Sequence, residues 1–142
     1  MPARKSFDYA IIRVVPLVER GEFINAGAIL FCRAAGALLA RVALDRARLA
    51  ALAPWLALDE IQEHLDAIPL ICAGAAEAGP IARLSQSERF HWLVAPRSTV
   101  IQTSPVHSGM TANPSAALDH ILATLVLPPD LSPGPSPGKG GE

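Results

Sequence analysis

The sequence predicts a single α+β domain in which an antiparallel sheet of four or more strands has helices packed on one face. Three observations predict this class. Apolar segments near the N-terminus are joined by short polar or glycine-containing turns, and later segments repeat apolar residues at helical spacing. In addition, 51% of the 142 residues are hydrophobic and 18% are charged, which supplies one core. We predict this domain over residues 1–127 and a disordered tail, rich in Pro, Gly and Ser, over residues 128–142.

Three strands are predicted first. Residues 7–18 carry apolar side chains at both odd and even positions, which is typical of a strand in the middle of a sheet. After a turn that contains Gly21, a second strand runs from residue 24 to 33, and Gly27 inside it indicates a bulge or a close backbone approach. A third strand covers residues 38–44. Because the connections are short, the three strands should form an antiparallel meander.

Two helices are predicted after the meander. Asp45 can cap a short helix over residues 46–52. A longer helix begins near Asp59, where apolar residues recur at helical intervals and form a stripe. Pro69 falls inside this stripe. It should kink the helix or end it, because proline lacks an N–H and its ring clashes with the preceding turn.

The C-terminal part of the domain is predicted to contain a strand, a loop and a helix. Residues 89–95 alternate aromatic and polar side chains, which predicts a fourth strand. Residues 96–112 form a long polar loop with a short strand near 99–101. Asn113 and Pro114 then mark the start of a last helix, with asparagine as the cap and proline in the first turn.

Composition and motifs argue against several classes of function. The net charge of −1 does not favour nucleic acid or a membrane surface as a partner. Cys32 and Cys72 each lie in an apolar run and are expected to be free and buried. The four histidines match no metal-ligand spacing and no phosphate-binding glycine loop is present, so we expect neither metal nor cofactor. Without a signal peptide or a run of about 18 apolar residues, the expected location is the cytoplasm.

The most concentrated polar motif lies in the turn between the first two predicted strands. Arg20 and Glu22 flank Gly21, and Asn25 enters the next strand with a side chain that can bond backbone groups. Two interpretations stay open. These residues either lock the turn by satisfying backbone donors, or form the wall of a polar pocket in which Glu22 acts as a base or as a ligand acceptor.

A second set of candidate residues lies in the predicted loop and consists of Arg97, Ser98, Gln102, Ser104 and His107. A guanidinium beside hydroxyl groups can hold a phosphate or a carboxylate, because these donors match anionic oxygens. The alternative is that the loop caps itself through bonds between hydroxyl and backbone groups. A catalytic pair of Ser104 and His107 is disfavoured, since no nucleophile-elbow motif surrounds the serine.

Two functions of different classes follow from these candidates. The leading hypothesis is a non-enzymatic binding or regulatory module. Its polar cleft would combine the Arg20–Asn25 turn with the 96–111 loop and recognise a protein partner or a small anionic ligand. The alternative is a small enzyme acting on a phosphate-bearing or nucleotide substrate, in which Glu22 serves as the base while Arg20 and Arg97 hold the anion.

Three motifs occur in a characteristic order: Arg20-Gly-Glu22-Phe-Ile-Asn25-Ala-Gly27, then Arg89-Phe90-His-Trp92-Leu, then Pro96-Arg97-Ser98-Thr-Val-Ile-Gln102-Thr-Ser104-Pro. In combination they resemble the bacterial domain-of-unknown-function family 3037, over roughly residues 7–127. The resemblance implies a small bacterial protein but no particular reaction. Because some members of that family are encoded near kinases resembling bacterial persistence toxins, the resemblance also implies a toxin-type kinase encoded nearby as a protein partner. The positions that match the family pattern are Arg20, Glu22, Asn25, Gly27, Arg89, Phe90, Pro96, Arg97, Ser98, Gln102, Ser104, His107 and Thr111.

Overall fold

The computed structural model describes residues 3–129 as an antiparallel five-stranded sheet packed by helices. This confirms the predicted α+β class. Of the tail predicted over residues 128–142, the part from residue 130 onward lies outside the described residues.

The sheet is built around its first strand. The strands are β1 (Lys5–Val14), β2 (Ile24–Cys32), β3 (Ala37–Val42), β4 (Ile101–Thr103) and β5 (His107–Thr111). They lie in the order β3-β2-β1-β4, and β5 pairs with β1 beyond β4. The predicted meander of the first three strands is confirmed, with short turns between them. Strands β4 and β5 follow one another along the edge of β1 that β2 leaves free. The sheet is therefore completed by a segment from the C-terminal half of the chain.

Four helices accompany the sheet: α1 (Arg46–Leu52), α2 (Leu58–Ala73), α3 (Gln86–Val94) and α4 (Pro114–Ile121), the last continuing into a π-helical turn (Leu122–Val126). Short 3₁₀ turns occupy several of the connections. None of the helices within residues 3–129 is both long and apolar enough to cross a membrane.

Side-chain caps explain where three of the helices begin. The Asp45 carboxylate accepts the N–H of residue 48 at 3.1 Å, and the Asn113 side chain accepts the N–H of residue 116 at 3.2 Å, as the sequence predicted. Helix α3 begins with a capping box, in which Ser85 and Glu88 each bond the other's backbone N–H. These caps satisfy N–H groups that would otherwise lack a partner at the helix start.

The helices cover both faces of the sheet rather than the single face that was predicted. Helices α1 to α3 pack over the face that carries Ile12 and Ile29, in a cluster with Leu65 of α2. Helix α4 and the π-helical turn pack over the opposite face, which carries Ile11 and Leu30. Neighbouring residues of a strand point to opposite faces of the sheet. A central strand with apolar residues at both odd and even positions therefore needs a helical layer on each face.

The prediction of a strand over residues 89–95 was wrong, because that segment forms α3. Phe90 is buried against the sheet, whereas Trp92 is 43% exposed, so the alternating aromatic residues do not share a buried strand face. Helix α2 does not end at Pro69 but continues to Ala73. The long loop also holds more strand than expected, since β4 and β5 lie within it.

Gly27 lies at a bulge in β2, which confirms the prediction for this glycine. The register between β1 and β2 shifts next to it, where Ile12 pairs with Gly27 but Arg13 pairs with Asn25. A Cβ at position 27 would lie only 2.5 Å from the carbonyl oxygen of Arg41 in β3. Only glycine allows β3 to approach so closely, so this residue fixes how the first three strands fit together.

Candidate functional site

The turn motif forms a surface ion pair. Arg20 Nε donates to Glu22 Oε1 at 2.7 Å, and the two side chains are 60% and 47% exposed. The hydrogen bond and charge of Arg20 lower the pKa of Glu22, and Glu22 raises the pKa of Arg20. Gly21 between them has a φ of 69°, which glycine tolerates best. This arrangement resembles the first interpretation of the motif, a polar turn held by its own side chains, although the bond joins the two side chains instead of a backbone donor.

The rest of the motif faces the π-helical turn. Asn25 Nδ2 donates to the Leu125 carbonyl at 2.9 Å, which ties β2 to that turn across 100 residues. The Arg13 guanidinium lies 4.1 Å from the centre of the Phe23 ring, a cation–π contact. Among the described residues, Asn25 Oδ1 and Arg13 Nε are both buried and lack a hydrogen-bond partner. Asn25 therefore binds structure already present in the chain, with one polar atom left unsatisfied.

Arg97 caps the C-terminus of α3. Its guanidinium donates to the Leu93 carbonyl at 2.8 Å and to the Trp92 carbonyl, and it lies 4.7 Å from the centre of the Trp92 ring. A cation is favourable at the carbonyl end of a helix, where those groups lack backbone partners. Two of its five N–H donors, one on each terminal nitrogen, are thus directed to the helix. Ser98, the next residue, lies exposed in the loop.

Ser104 continues the hydrogen bonding to β1 between the end of β4 and the start of β5. Its side chain accepts the Ile11 N–H at 2.8 Å, and its own N–H donates to the Ile11 carbonyl at 2.8 Å. The residue is only 4% exposed. His107 instead is exposed, with its ring centre 5.5 Å from that of Tyr9. The Ser104 oxygen thus takes the place of a backbone acceptor in the sheet ladder.

The sheet register brings two of the predicted site residues together around a third that the sequence analysis did not select. Arg13 pairs with Asn25 on β2 and with Gln102 on β4. Directly opposed residues of antiparallel strands project to the same face, so the two amides flank the arginine. Gln102 Nε2 also donates to the Thr99 carbonyl at 2.8 Å. An arginine within the apolar run of residues 10–15 was the signal in the sequence. The other predicted residues do not join this row.

A groove lies between α2, α3 and β4 and encloses a cavity of about 610 Å³. Its lining is mostly apolar and includes Ile61, Ala67, Ile68, Ile71, Leu93 and Val100. Trp92, which is 43% exposed, stands at one end beside Arg97. Glu60 and His64 of α2 and Gln102 of β4 add polar groups to the lining. Arg97 and Gln102 are the predicted site residues found here.

The backbone of β4 leaves one edge open beside this groove. The Val100 carbonyl accepts from the Val15 N–H at 2.6 Å, and the Ser104 N–H donates to β1. Backbone groups alternate in direction along a strand, so Ile101 and Thr103 turn theirs away from β1. The Ile101 carbonyl accepts from the Thr99 hydroxyl at 2.8 Å. Within residues 3–129, β4 pairs with β1 and with no second strand, so the remaining outward groups border the groove.

The family-pattern residue Arg89 is buried but serves the fold. It is 8% exposed and donates to the carbonyls of Ile71, Cys72 and Leu84 at 2.9, 2.7 and 3.0 Å. The bonds to Ile71 and Cys72 cap the C-terminus of α2, where Gly74 takes a left-handed conformation, and the bond to Leu84 reaches the segment before α3. Burial raises the pKa of the nearby Cys72 thiol to about 12, which makes it inert at neutral pH. This sequence motif therefore joins α2 to α3.

Together these features define a small α+β domain with an apolar groove beside an open strand edge. In the part of the chain that the structure describes, no three His, Cys, Asp or Glu side chains lie close enough to hold a metal ion. The chain belongs to the family described as "Protein of unknown function (DUF3037)", whose model matches residues 9–126. The resemblance seen in the sequence is thereby confirmed. No curated protein and no solved structure matches the chain.

Proposed function

We propose that this protein is a non-enzymatic binding module with a regulatory role in the cytoplasm. Its ligand is an extended apolar segment of a partner protein, which lies in the groove and adds a strand to the open edge of β4. The observation that carries this proposal is that, within residues 3–129, a strand edge without a partner strand lies directly beside a mostly apolar cavity of about 610 Å³.

The apolar lining favours a ligand with apolar side chains. Pockets of roughly 300–1,000 Å³ lined by hydrophobic and aromatic residues are typical binding sites. Trp92 is a large, half-exposed ring at the end of the groove, and tryptophan is enriched among residues that dominate binding energy. A ligand that covered this ring and the adjoining α2 face would remove apolar surface from water, which is favourable.

The strand edge favours a peptide over other apolar ligands. The outward N–H and C=O groups of Thr103 and the outward N–H of Ile101 can pair with the backbone of an added strand. Alternate side chains of that strand would then face the groove beneath α2. Glu60 lies in the lining and favours a segment with a basic residue outside its apolar centre.

The alternative, an enzyme acting on a phosphate-bearing or nucleotide substrate with Glu22 as base, has no observation in its favour. Glu22 lies at the surface beside Arg20, and its lowered pKa makes the carboxylate a weaker base. Arg97, the residue expected to hold an anion, is engaged with the carbonyls of α3.

The test is selection of short random peptides on the purified protein, followed by fluorescence anisotropy with the best binder. Peptides tiled from kinases of the persistence-toxin type are included, because the family resemblance implies such a partner. We expect selected peptides to alternate apolar and polar residues and to bind with a Kd below about 100 μM. Ala67→Arg should weaken binding at least about tenfold by filling the groove, whereas Leu70→Arg, on α2 outside the lining, should not.

The strand edge is tested separately at Thr103. Thr103→Pro removes the outward N–H, whereas Thr103→Val keeps it, so only the proline variant should lose peptide binding. Binding that survives Thr103→Pro would contradict strand addition. A groove that takes a naphthalene sulfonate dye or a second copy of the chain, but none of the selected peptides, would overturn the proposal.

A further inference from the structure

We propose a second binding site, for a small zwitterion such as an apolar α-amino acid, in the cavity between the first strand pair and α3. This cavity has a volume of about 330 Å³ and is lined by Asp8, Arg33 and His91 together with Ser6, Phe31 and Phe90. It is separate from the groove beside β4, and the proposal does not rest on peptide binding there.

Unlike charges line this cavity without neutralising each other. Asp8 on β1 and Arg33 after β2 share the cavity, yet within residues 3–129 neither forms an ion pair with the other. Opposite charges at a short distance normally attract each other, so two that remain apart in one cavity can each bind the complementary charge of a ligand. An α-amino acid carries an ammonium and a carboxylate on neighbouring atoms, which fits one cation and one anion.

Each polar side chain is held by one hydrogen bond and keeps further polar atoms free. Asp8 Oδ1 accepts from the Ser108 hydroxyl at 2.7 Å, which leaves Oδ2 for an ammonium group. Arg33 Nη2 donates to the Ser87 hydroxyl at 3.2 Å, which leaves Nη1 and Nε for a carboxylate. Such supporting bonds orient binding groups before the ligand arrives and lower the entropy lost on binding.

His91 is oriented by the same serine. Its Nδ1 lies 2.7 Å from the Ser87 carbonyl oxygen, which can only accept, so Nδ1 carries the proton in this contact. In the neutral ring Nε2 is then an acceptor, and it can take a second N–H of the ligand's ammonium group. Ser87 on α3 therefore positions both the cationic and the imidazole sides of the cavity.

Two aromatic rings at the base of the cavity would contact the apolar side chain of the ligand. The rings of Phe31 and Phe90 meet with centres 5.3 Å apart and both line the cavity. They belong to the main core, so the base of the cavity is rigid. The volume is at the lower end of the range for small-molecule sites, which fits a single amino acid.

The experiment is isothermal titration calorimetry with three ligands of nearly equal shape. L-phenylalanine carries both charges, phenylalanine amide carries the cation alone and 3-phenylpropanoate carries the anion alone. We expect saturable binding of L-phenylalanine and at least about tenfold weaker binding of each singly charged analogue. Analogues that bind as tightly as the amino acid, or a titration that shows no saturation up to about 20 mM L-phenylalanine, would overturn the proposal.

Two substitutions test which side chain binds which charge. Asp8→Asn should weaken the binding of L-phenylalanine and phenylalanine amide at least about tenfold but leave the binding of 3-phenylpropanoate unchanged. Arg33→Gln should weaken the binding of L-phenylalanine and 3-phenylpropanoate by the same factor but leave that of phenylalanine amide unchanged. Arg83→Gln and Asp66→Asn, which change charge outside the cavity, are the matched controls. Arg33 is exposed, so its variant keeps the test valid even if Asp8→Asn disturbs the strand. An equal loss for all three ligands in either variant would contradict the assignment.

Discussion

Arg89→Met tests whether one buried arginine holds α2 and α3 together. The side chain is 8% exposed, and no acidic residue within residues 3–129 pairs with it. Its guanidinium bonds three carbonyl oxygens at the end of α2 and before α3. Methionine preserves much of the apolar volume but donates no hydrogen bond. The substitution therefore isolates the contribution of the guanidinium.

The expected loss follows from which carbonyls keep a partner. The Ile71 oxygen also accepts from the Gly74 N–H at 3.0 Å, so it remains bonded in the variant. The Cys72 carbonyl loses a buried hydrogen bond, which costs about 1–3 kcal/mol, and the partly buried Leu84 carbonyl loses one worth about 1 kcal/mol. Taken together, these losses should lower the free energy of unfolding by about 3 kcal/mol. For a chain of this size the midpoint of thermal unfolding should fall by about 10 °C.

Urea denaturation followed by circular dichroism measures this change, with Arg83→Met as the control. Arg83 is an exposed arginine of the same region and should cost less than about 0.5 kcal/mol. Arg89→Lys should fall between the wild type and Arg89→Met, because it keeps the charge but not the planar fork of donors. A loss below about 1 kcal/mol for Arg89→Met, or a loss equal to that of Arg83→Met, would refute the reasoning.

Three further predictions concern the sheet and the thiol. Gly27→Ala should lower the free energy of unfolding by about 2–4 kcal/mol in urea denaturation, because its Cβ would meet backbone at 2.5 Å. Gly36→Ala, whose Cβ meets nothing within 4 Å, should cost only about 1 kcal/mol for its left-handed backbone. Ser104→Ala should cost about 1–3 kcal/mol by the same assay, since it removes the acceptor of a buried N–H, whereas Ser98→Ala should have no measurable effect. Cys72 should stay unlabelled by a disulfide reagent at pH 8 in the folded protein, because burial raises its pKa to about 12.

Each of these predictions has a result that would contradict it. Equal losses for Gly27→Ala and Gly36→Ala would mean that the close approach of β3 does not constrain the bulge. A Ser104→Ala variant as stable as the wild type would mean that the hydroxyl is not needed where β4 meets β5. Fast labelling of Cys72 without denaturant would show that α2 opens readily.

Local chemistry explains why much of the fold was predictable. Asp45 and Asn113 bond N–H groups within their own turn, so their capping role depends on only a few neighbouring residues. Gly27 stands out in an apolar strand for the same reason that it is needed there, because any larger residue would be excluded. The antiparallel meander follows from short connections, which leave the chain little choice of partner.

The segment that became α3 shows where local reading failed. Aromatic residues at alternate positions favour a strand, but the Ser85 and Glu88 pair before them is a capping box, which favours a helix. The capping box was thus present in the sequence, but the alternating aromatic residues favoured a strand. The buried role of Arg89 was not visible at all, since it depends on carbonyls contributed by another helix.

The Arg20–Asn25 motif shows both what the sequence by itself determined and what only the tertiary structure decided. The sequence determined the turn at Gly21 and the bulge at Gly27, because each depends on residues close together along the chain. It also determined the α+β class and the family, because these follow from apolar patterns and motifs that can be read in order along the chain without knowing any contact. The tertiary structure decided that Glu22 pairs with Arg20, that Asn25 meets Leu125 and that a groove opens beside β4. These contacts join residues brought together by strand register and helix packing, and register is set by the whole apolar pattern rather than by any one motif.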